Sequence, residues 1–478
     1  MVDLSQPSLG TRSARRGSPA TPPQVLLIVC AGVVLASLDL FIVNVALPSI
    51  ARDFHGSGLG ELSWVLNGYA IVYASLLVLF GRFADRYPRE IGFLVGVAVF
   101  TVASAACAAA TSVAMLVAFR LVQAVGAALL TPTSLGLVLA SYPAERRSGA
   151  VRAWAATGGL AAALGPVVGG LLVTASWRWV FLVNVPIGVA AIVVGWRKLP
   201  SIPGHAGPRP DALGALLITL AVGGISFGLV QGNSWGWGSA ATVAVLAASV
   251  VVLGLFVAHC VRHHNPLIDP ALFKTGPFSG ASAVALLFSV AFGAMLLSIV
   301  LWAQDDWGWS ALRTGLAIAP GPLMVPLFSF LVAGRAITRF GVAVTLSAGS
   351  VIFAAGLVWW SLAVSLHPDY PGAMLGGMLL GGIGVGLTMP TFIASAAAAL
   401  PPHAFATGSG VVNMIRQIGL AVGVALLVAV LGAPGTAAGR LHAFQHAWLV
   451  AAGLSVAGVI PAVMLLRRRR LGETPAAR

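Results

Sequence analysis

The fold is decided by the stretch Leu38-Asp39-Leu40-Phe41-Ile42-Val43-Asn44-Val45-Ala46-Leu47-Pro48, which forms the second half of an apolar run beginning at Val25. A run of this length is enough for a helix to cross a bilayer. Asp39 stands alone in the middle of it. A carboxylate at membrane depth is costly to insert, so its presence indicates a role in carrying protons or binding substrate. The alternative is a polar residue that faces a neighbouring helix for packing.

The composition excludes an ordinary soluble protein. The chain has 478 residues, 58% of them hydrophobic and 8% charged, and its mean hydropathy is +0.96. Soluble domains carry about 25% charged residues. The formal net charge is +14, but the basic residues are scattered through short segments, which argues against nucleic acid as a partner. Cys30, Cys107 and Cys260 lie in or beside apolar segments and are expected to be packing residues.

Fourteen apolar segments are long enough to be transmembrane helices. Glycine and proline inside them do not argue against helices, because membrane helices tolerate both. No interval between them is long enough for a folded domain. The interval His259–Ser279 is expected to be an inner connector, with a surface amphipathic helix as one option. The segments are 25–48, 62–80, 91–110, 112–139, 150–173, 179–196, 212–231, 239–258, 279–302, 314–333, 342–364, 372–396, 405–431 and 444–466.

The basic residues sort to one side of the membrane when the amino terminus is placed in the cytoplasm. Of the 27 Lys and Arg residues, all but six then fall in inner segments. The positive-inside rule therefore predicts that both termini are cytoplasmic. A count of twelve helices, without the pair at 212–258, would preserve this sorting. The first span is too long for the apolar core of a secretory signal and is expected to stay uncleaved. The exceptions are Arg52, Arg178, Arg313 and Arg440 in outer segments and Arg120 and Arg416 inside spans.

This topology divides the chain into two bundles. We expect a cytoplasmic tail at 1–24, an N-terminal six-helix bundle at 25–200, two inserted helices with connectors at 201–275, a C-terminal six-helix bundle at 276–466 and a basic tail at 467–478. A faint internal repeat agrees, since the loops after the second and tenth spans share a glycine and two arginines. Chance similarity is the alternative to two related bundles. These loops are Gly81-Arg82-Phe83-Ala84-Asp85-Arg86-Tyr87-Pro88 and Gly334-Arg335-Ala336-Ile337-Thr338-Arg339-Phe340-Gly341.

Several short motifs occur in order along the chain. Besides 38–48 and the loop 81–89, they are Arg120-Leu121-Val122-Gln123, Gly165-Pro166-Val167-Val168-Gly169-Gly170, Trp177-Arg178-Trp179 through Gly188, and Asn413-Met414-Ile415-Arg416-Gln417-Ile418-Gly419. Together they resemble the major facilitator superfamily, in particular its fourteen-helix drug:proton antiporter branch. The departures are Pro88 and Glu90 in the loop, Ala161 before the fifth-helix motif, and Ala124 or Val125 at the usual glycine after Gln123.

The resemblance implies an all-α integral membrane protein with the major-facilitator fold, in which two additional central helices join two six-helix bundles. It also implies a conformational gate at the inner face and a fifth helix typical of antiporters. The alternatives are positive-inside anchoring for the first group and tight static packing for the second. The gate residues are Gly81, Asp85, Arg86 and Arg89, and those of the antiporter-motif helix are Gly165, Pro166, Gly169 and Gly170.

Asp39 and Arg120 are predicted to lie at similar depth. At 1.5 Å per residue, Asp39 is roughly 13 Å from Pro48 and Arg120 roughly 12 Å from Ser112, each at the outer end of its helix. If both face a central cavity, they can interact directly or through water, and a proton on Asp39 would compete with cargo. We therefore predict Asp39 and Arg120 as the proton-coupling residues. A static buried ion pair is the alternative.

Four further polar residues are candidates for lining a substrate cavity: Asn44, Gln123, Asn413 and Arg416. Arg416 has no acid in its own helix, so it should face water, carbonyl groups or substrate. Asp305 and Asp306, beside Trp302, Trp307 and Trp309, are expected to be solvated acids next to interfacial aromatic residues, with cation attraction or proton passage as the minority view. The histidines lack persuasive metal-ligand spacing, so no metal site is expected.

The energy source follows by exclusion. Lys198 and Lys274 are the only lysines, and neither lies in a phosphate-binding loop. No cofactor is expected, and the proton gradient should supply the energy. The sequence predicts a non-enzymatic efflux antiporter of the cell membrane for hydrophobic or amphipathic molecules, without an obligatory protein partner. The alternatives are a dedicated exporter of one metabolite or antibiotic, a facilitated uptake carrier, and, from another class, a membrane enzyme or sensor.

Overall fold

The computed structural model describes residues 20–54, 58–203, 210–400 and 405–466, without the side chains at positions 85, 144, 148, 155, 159, 162, 397 and 405–407. Within these ranges the regular structure is helical, and fourteen helices are long and apolar enough to span a membrane, which confirms the predicted number. We label them α1 Pro22–Asp53, α2 Leu59–Ala84, α3 Arg89–Ala108, α4 Val113–Ser141, α5 Glu145–Val173, α6 Trp179–Lys198, α7 Ala212–Trp235, α8 Ala240–Arg262, α9 Gly276–Asp306, α10 Ala311–Phe340, α11 Val342–Ala363, α12 Tyr370–Ala396, α13 Gly408–Leu431 and α14 Ala437–Leu466.

Side-chain caps begin several of these helices. Ser112 accepts a hydrogen bond from the N–H of Met115 at 3.2 Å, which satisfies one of the free N–H groups in the first turn of α4. The residues before α7, α8, α10 and α14 act in the same way, each accepting from the N–H three positions on. They are Asp211, Ser239, Ser310 and Thr436.

Several helices are interrupted. α6 breaks between Leu182 and Asn184, and α10 breaks at Ala319, where Pro320 begins a new helical segment. Proline removes a backbone donor and clashes with the preceding turn, which explains the second break. π-helical turns occur at Trp302–Asp306, Ser329–Ala333 and Tyr370–Met374. Such turns shift the register of the side chains that follow.

The helices form two bundles of six. In the first, α1 packs on α4, α5 and α6, while α3 packs on α4 and α6 and α2 packs on α4. In the second, α9 packs on α12, α13 and α14, and α11 packs on α12 and α14. α7 and α8 pack on each other, and α7 also packs on α2 and α13. This arrangement confirms the predicted fold class of two six-helix bundles with two additional helices.

The bundles meet along two helix pairs, α2 with α13 and α5 with α10. Gln304 of α9 adds a hydrogen bond across the interface, donating to the carbonyl of Val45 in α1 at 2.9 Å. We call the end of the molecule that carries Arg82, Arg86 and Arg197 the arginine-rich face, and the end that carries Asp53 and Arg440 the opposite face. Gln304 and the α5–α10 contact both lie towards the opposite face.

The connector between α8 and α9 contains a five-residue 3-10 helix, Pro270–Lys274. The amphipathic surface helix that the sequence left open is therefore absent from this described interval. Leu267, Ile268 and Leu272 of the connector are buried, because they pack under the arginine-rich ends of the helices. The connector is thus part of the packed structure.

Candidate functional site

Asp39 lies inside the N-terminal bundle, with its side chain completely buried. Its Oδ2 accepts a hydrogen bond from Nη1 of Arg120 on α4, and the two form an ion pair. Its Oδ1 accepts from Nε2 of Gln123 at 2.9 Å and from Nδ2 of Asn184 at 3.2 Å. Because a buried charge is costly unless it is paired and hydrogen-bonded, these three donors are what permit a carboxylate at this depth.

Arg120 is also completely buried and is held from several sides. Its Nε donates to the carbonyl of Val65 on α2 at 3.1 Å, and its Nη1 donates to Oε1 of Gln123 at 2.5 Å. The guanidinium carbon lies 4.0 Å from the ring centre of Tyr69, a cation–π contact. Among the described residues, Nη2 has no hydrogen-bond partner. The guanidinium therefore retains the two N–H groups of Nη2 for water or for a rearranged partner.

Ser104 of α3 completes this polar cluster, which we call the Asp39 cluster: Asp39, Ser104, Arg120, Gln123 and Asn184. Ser104 Oγ accepts from Gln123 at 2.7 Å and from Asn184 at 3.4 Å. The sequence assigned Gln123 to the substrate cavity, whereas the structure places it fully buried against Asp39. Ser104 and Asn184 were not among the site residues predicted from the sequence. Asn184 carried a usable signal, because it lies within the motif 177–188, but a lone serine in an apolar helix carries none.

A small, mostly apolar pocket lies between the bundles, and Leu40, the residue after Asp39, is part of its lining. Its volume is about 30 Å³, and its lining includes Phe41 and Asn44 of α1, Asn67 of α2 and Leu420 of α13. This is room for a water molecule or two. Asn44 donates to the carbonyl of Leu40 at 2.9 Å. Asn67 is completely buried, and both its amide atoms lack partners among the described residues. It is the polar group in this pocket that a ligand or water would satisfy.

The other two predicted cavity residues lie on α13 and face α2. Arg416 donates to Oδ1 of Asn413 from Nε at 3.0 Å and from Nη2 at 2.7 Å. Both residues lie near the phenol of Tyr73 on α2, whose hydroxyl is 3.3 Å from that of Thr131. This second polar group thus bridges the two bundles and carries a positive charge. The four predicted cavity residues therefore do not line one cavity. Asn44 lines the small pocket, Gln123 belongs to the Asp39 cluster, and Asn413 and Arg416 form the second polar group.

The predicted gate lies at the arginine-rich end of α2. Arg82 donates to Oδ1 of Asn265 in the connector, and Nη1 of Arg89 donates to the carbonyl of Gly136 on α4 at 3.3 Å. Arg86 has interaction partners as well, and a Cβ on Gly81 would meet open space. The side chain of Asp85 lies outside the described part of the chain. The loop is therefore tied both to α4 and to the connector.

The glycine-rich face of α5 contacts both bundles. A Cβ on Gly165 would lie 2.6 Å from Cβ of Phe41, and one on Gly169 would lie 2.8 Å from Cγ1 of Ile42. Phe41 and Ile42 closely follow Asp39 on α1. The next residues of the motif turn towards α10, where a Cβ on Gly170 would lie 2.6 Å from the carbonyl oxygen of Ala311. α5 is therefore packed between the helix of the buried acid and the C-terminal bundle.

A larger cavity of about 460 Å³ opens between the bundles at the opposite face. Most of its lining is apolar, and its charged residues are Asp305, Asp306 and Arg440. Asp306 is only 3% exposed and forms an ion pair with Arg440 at 2.7 Å. The expectation of solvated acids is therefore wrong for Asp306. Trp302, Trp307 and Trp309 are buried as well, because this end of α9 packs against α14, α11 and α12.

Fourteen membrane-length helices in two bundles, with polar side chains at the interface, define a polytopic membrane transporter. The family model of the Major Facilitator Superfamily matches residues 29–287 and 281–478, and the chain belongs to this superfamily. The chain is similar to the methylenomycin A resistance protein of Bacillus subtilis, with 35% identity over 422 residues, 87% of this chain and 88% of the relative. The tetracenomycin C resistance and export protein of Streptomyces glaucescens is 33% identical over 429 residues, 89% of this chain and 78% of the relative.

The multidrug resistance protein Stp of Mycobacterium tuberculosis is 34% identical over 414 residues, 86% of this chain and 76% of the relative. These relatives confirm the predicted drug-efflux branch of the superfamily. Among solved structures, the POT family transporter PepTSo superposes with a TM-score of 0.67, covering 94% of this chain and 98% of that chain. Its sequence identity is 15%, so this likeness concerns the fold alone.

Proposed function

We propose that this protein is a proton-coupled antiporter of the cell membrane that exports hydrophobic or amphipathic small molecules by alternating access. The observation that carries the proposal is the buried ion pair between Asp39 and Arg120. Protonation of Asp39 would cancel the negative charge that this pair requires. Breaking a buried ion pair costs about 3–5 kcal/mol. That is close to the roughly 5.5 kcal/mol that moves a two-state equilibrium from 1:99 to 99:1.

A packed path connects this event to the interface between the bundles. Phe41 and Ile42, just after Asp39, lie against the glycines of α5, and the opposite side of that motif lies against α10. Packed interiors respond to small displacements by switching arrangement rather than by deforming continuously. A movement of α1 that follows protonation would therefore alter the α5–α10 contact. This path supports coupling between the proton and the opening of one face.

The orientation is part of the proposal. With the arginine-rich face in the cytoplasm, both termini are cytoplasmic and the 460 Å³ cavity opens outwards. Cargo would enter from the arginine-rich face, meet Asn44, Asn67 and Arg416 between the bundles, and leave through that cavity. We propose that the proton gradient alone supplies the energy, without a cofactor or an obligatory protein partner, and that the protein acts as a carrier and not as an enzyme.

The test is transport in proteoliposomes with an imposed pH difference, comparing wild type with Asp39→Asn. We expect the variant to lose cargo accumulation driven by the gradient. Asp369→Asn is the matched control, because Asp369 caps a helical turn by accepting from the N–H of Gly372 at 3.0 Å and asparagine caps equally well. Full gradient-driven export by Asp39→Asn would refute the coupling role.

A dedicated exporter of one antibiotic is the second candidate. It is favoured by the names of two relatives, which refer to methylenomycin A and to tetracenomycin C. The multidrug relative favours broad specificity. Expression in a sensitive host separates the two, because a broad exporter should raise resistance to several unrelated compounds and a dedicated one to a single chemical class.

A further inference from the structure

Two histidines and an aspartate converge where the inserted helices α7 and α8 meet the connector. Asp211 immediately precedes α7, His259 lies in the last turn of α8, and His263 follows its end. One ligand atom from each of the three residues lies within 4.8 Å of the others. His259 and His263 are four positions apart, so they share one side of the helix, and their ring centres are 4.9 Å apart.

The carboxylate of Asp211 is fixed in position. Its Oδ1 accepts from the N–H of Gly214 at 2.8 Å, and its Oδ2 accepts from the N–H of Leu267 at 2.8 Å. The side chain of Asp211 is only 2% exposed. A carboxylate that is oriented by backbone donors on two segments is pre-organised as a ligand.

The spacing of the groups suits a tetrahedral metal ion. Nε2 of His259 lies 3.0 Å and 3.1 Å from the two oxygens of Asp211. Two ligands on one tetrahedral zinc ion, each about 2.0–2.1 Å from the metal, are separated by about 3.3 Å. A shift of a few tenths of an ångström would therefore let a metal ion replace the present contact. Imidazole and carboxylate are both ordinary zinc ligands.

We propose that Asp211, His259 and His263 form a binding site for a divalent transition metal ion of the Zn²⁺ type, with water as the fourth ligand. The site joins the two inserted helices to the connector. It is separate from the Asp39 cluster and does not depend on the proposed export activity. The sequence could not indicate it, because the third ligand lies on a different helix, 48 positions from His259.

Metal binding would also change the hydrogen bonds of Asn265, which holds Arg82 in the loop after α2. Nδ1 of His263 accepts the N–H of Asn265 at 3.1 Å. A neutral imidazole that binds a metal through one nitrogen carries a proton on the other. Whichever nitrogen of His263 takes the metal, it must therefore give up the hydrogen bond from Asn265. Since Oδ1 of Asn265 accepts from Arg82, the metal site is coupled to the predicted gate.

Calorimetric titration of the purified full-length protein with Zn²⁺, after chelator treatment, tests the site. We expect one strong site per chain and at least about a tenfold higher Kd in His259→Ala and in His263→Ala. His367→Ala, which changes a histidine at the opposite face, should bind like wild type. His264→Ala should do the same, although its ring lies 4.9 Å from that of His263. Absence of a strong site in wild type, or a Kd in His259→Ala and His263→Ala equal to that of wild type, would overturn the proposal.

Two further measurements guard against variants that fail to fold. Co²⁺ bound to the wild-type protein should give the visible absorption bands of a tetrahedral site, and Zn²⁺ should displace them. Hydrogen–deuterium exchange should become faster at the amide of Asn265 when Zn²⁺ is added, while the amide of Leu267 stays protected by Asp211. An unchanged Asn265 amide in a Zn²⁺-loaded protein would refute the coupling to Arg82 but leave the metal site in place.

Discussion

The carbonyl oxygen of Pro166 in α5 lies against Gly315 in α10 so closely that no Cβ fits between the two bundles. This contact lies towards the opposite face, where the bundles also meet through Gln304 and Val45. Glycine at 315 is therefore required by the close approach of two backbones, as in other tightly packed membrane helices.

We expect Gly315→Val to push α5 and α10 apart and to abolish export while the protein is still inserted. Overpacking of this kind costs about 1–3 kcal/mol, enough to shift an equilibrium between two conformations. Gly453→Val in α14 is the control, because a Cβ there meets nothing within 4 Å. Efflux assays together with fluorescence-detected size exclusion measure both effects. Normal efflux by Gly315→Val would show that this contact is not needed for switching.

Asn184→Leu should slow gradient-driven export. The change removes one of the three side-chain donors that hold the buried Asp39 carboxylate. A hydrogen bond to a charged group contributes about 1.5–3 kcal/mol, so we expect the export rate to fall about tenfold or more. Thr219→Val, whose hydroxyl bonds within its own helix, should export like wild type. An unchanged export rate in Asn184→Leu would show that this hydrogen bond is not needed for transport.

Asn67→Leu should stabilise the protein and impair transport. Its amide is buried without a partner among the described residues, and leaving such a group unsatisfied costs about 1–3 kcal/mol. Asn233→Leu provides the contrast, because Asn233 donates to the carbonyls of Val428 and Ala429 at 3.1 Å and 2.9 Å. Thermal melting in detergent should move up for the first variant and down for the second. Equal destabilisation of both would mean that Asn67 has a structural partner.

Arg416→Gln should change cargo preference. It removes a positive charge that is hydrogen-bonded to Asn413 and faces Tyr73 between the bundles. We expect export of cationic compounds to rise relative to neutral compounds of similar size, measured as a ratio of efflux rates. Arg313→Gln at the opposite face, where the guanidinium lies 4.2 Å from the ring centre of Trp309, is the control. A ratio that shifts equally in both variants would indicate a general surface-charge effect.

We expect the thermal stability of the chelator-treated protein to depend on pH through the carboxyl group of Asp211. Burial by itself raises the pKa of the Asp211 carboxyl, but hydrogen bonds from Gly214, His259 and Leu267 outweigh it and hold the pKa below its usual range. A lowered folded-state pKa gives stability that is complete above the unfolded value and lost as the pH falls through the folded one. Asp211→Asn should therefore have a lower melting temperature than wild type at neutral pH. This difference in melting temperature should disappear in acid. Glu145 is exposed, so Glu145→Gln should melt at the same temperature as wild type at both pH values. A lower melting temperature of Asp211→Asn that persists in acid would contradict the lowered pKa of Asp211.

The number of helices and the bundle architecture could be predicted because hydropathy and charge asymmetry are strong signals in membranes. Helix ends were less accurate for a physical reason. α14 begins at Ala437, ahead of the predicted 444, because Arg440 and His442 lower the local hydropathy without ending the helix. The breaks in α10 depend on backbone geometry at Ala319 and Pro320, which hydropathy does not register.

The depth of Asp39 and Arg120 followed from helical rise alone, and the structure joins the two by an ion pair. What the sequence did not give was the direction in which each side chain points. Gln123, three positions after Arg120, turns into the bundle rather than towards the cavity. Ser104 and Asn67 were missed because a single polar residue in an apolar helix looks the same whether it bonds its own helix, a neighbour or nothing.

α7 packs on both α2 and α13, which belong to different bundles, and Asn233 of α7 donates a hydrogen bond to α13. A shortened chain that joined residues 198 and 276 directly would leave this flank facing the hydrocarbon chains of the lipid. Lipid acyl chains would then enter between α2 and α13 and compete with cargo. α7, with α8 packed on it, therefore covers the contact between α2 and α13 on this flank and keeps lipid away from the seam between the bundles.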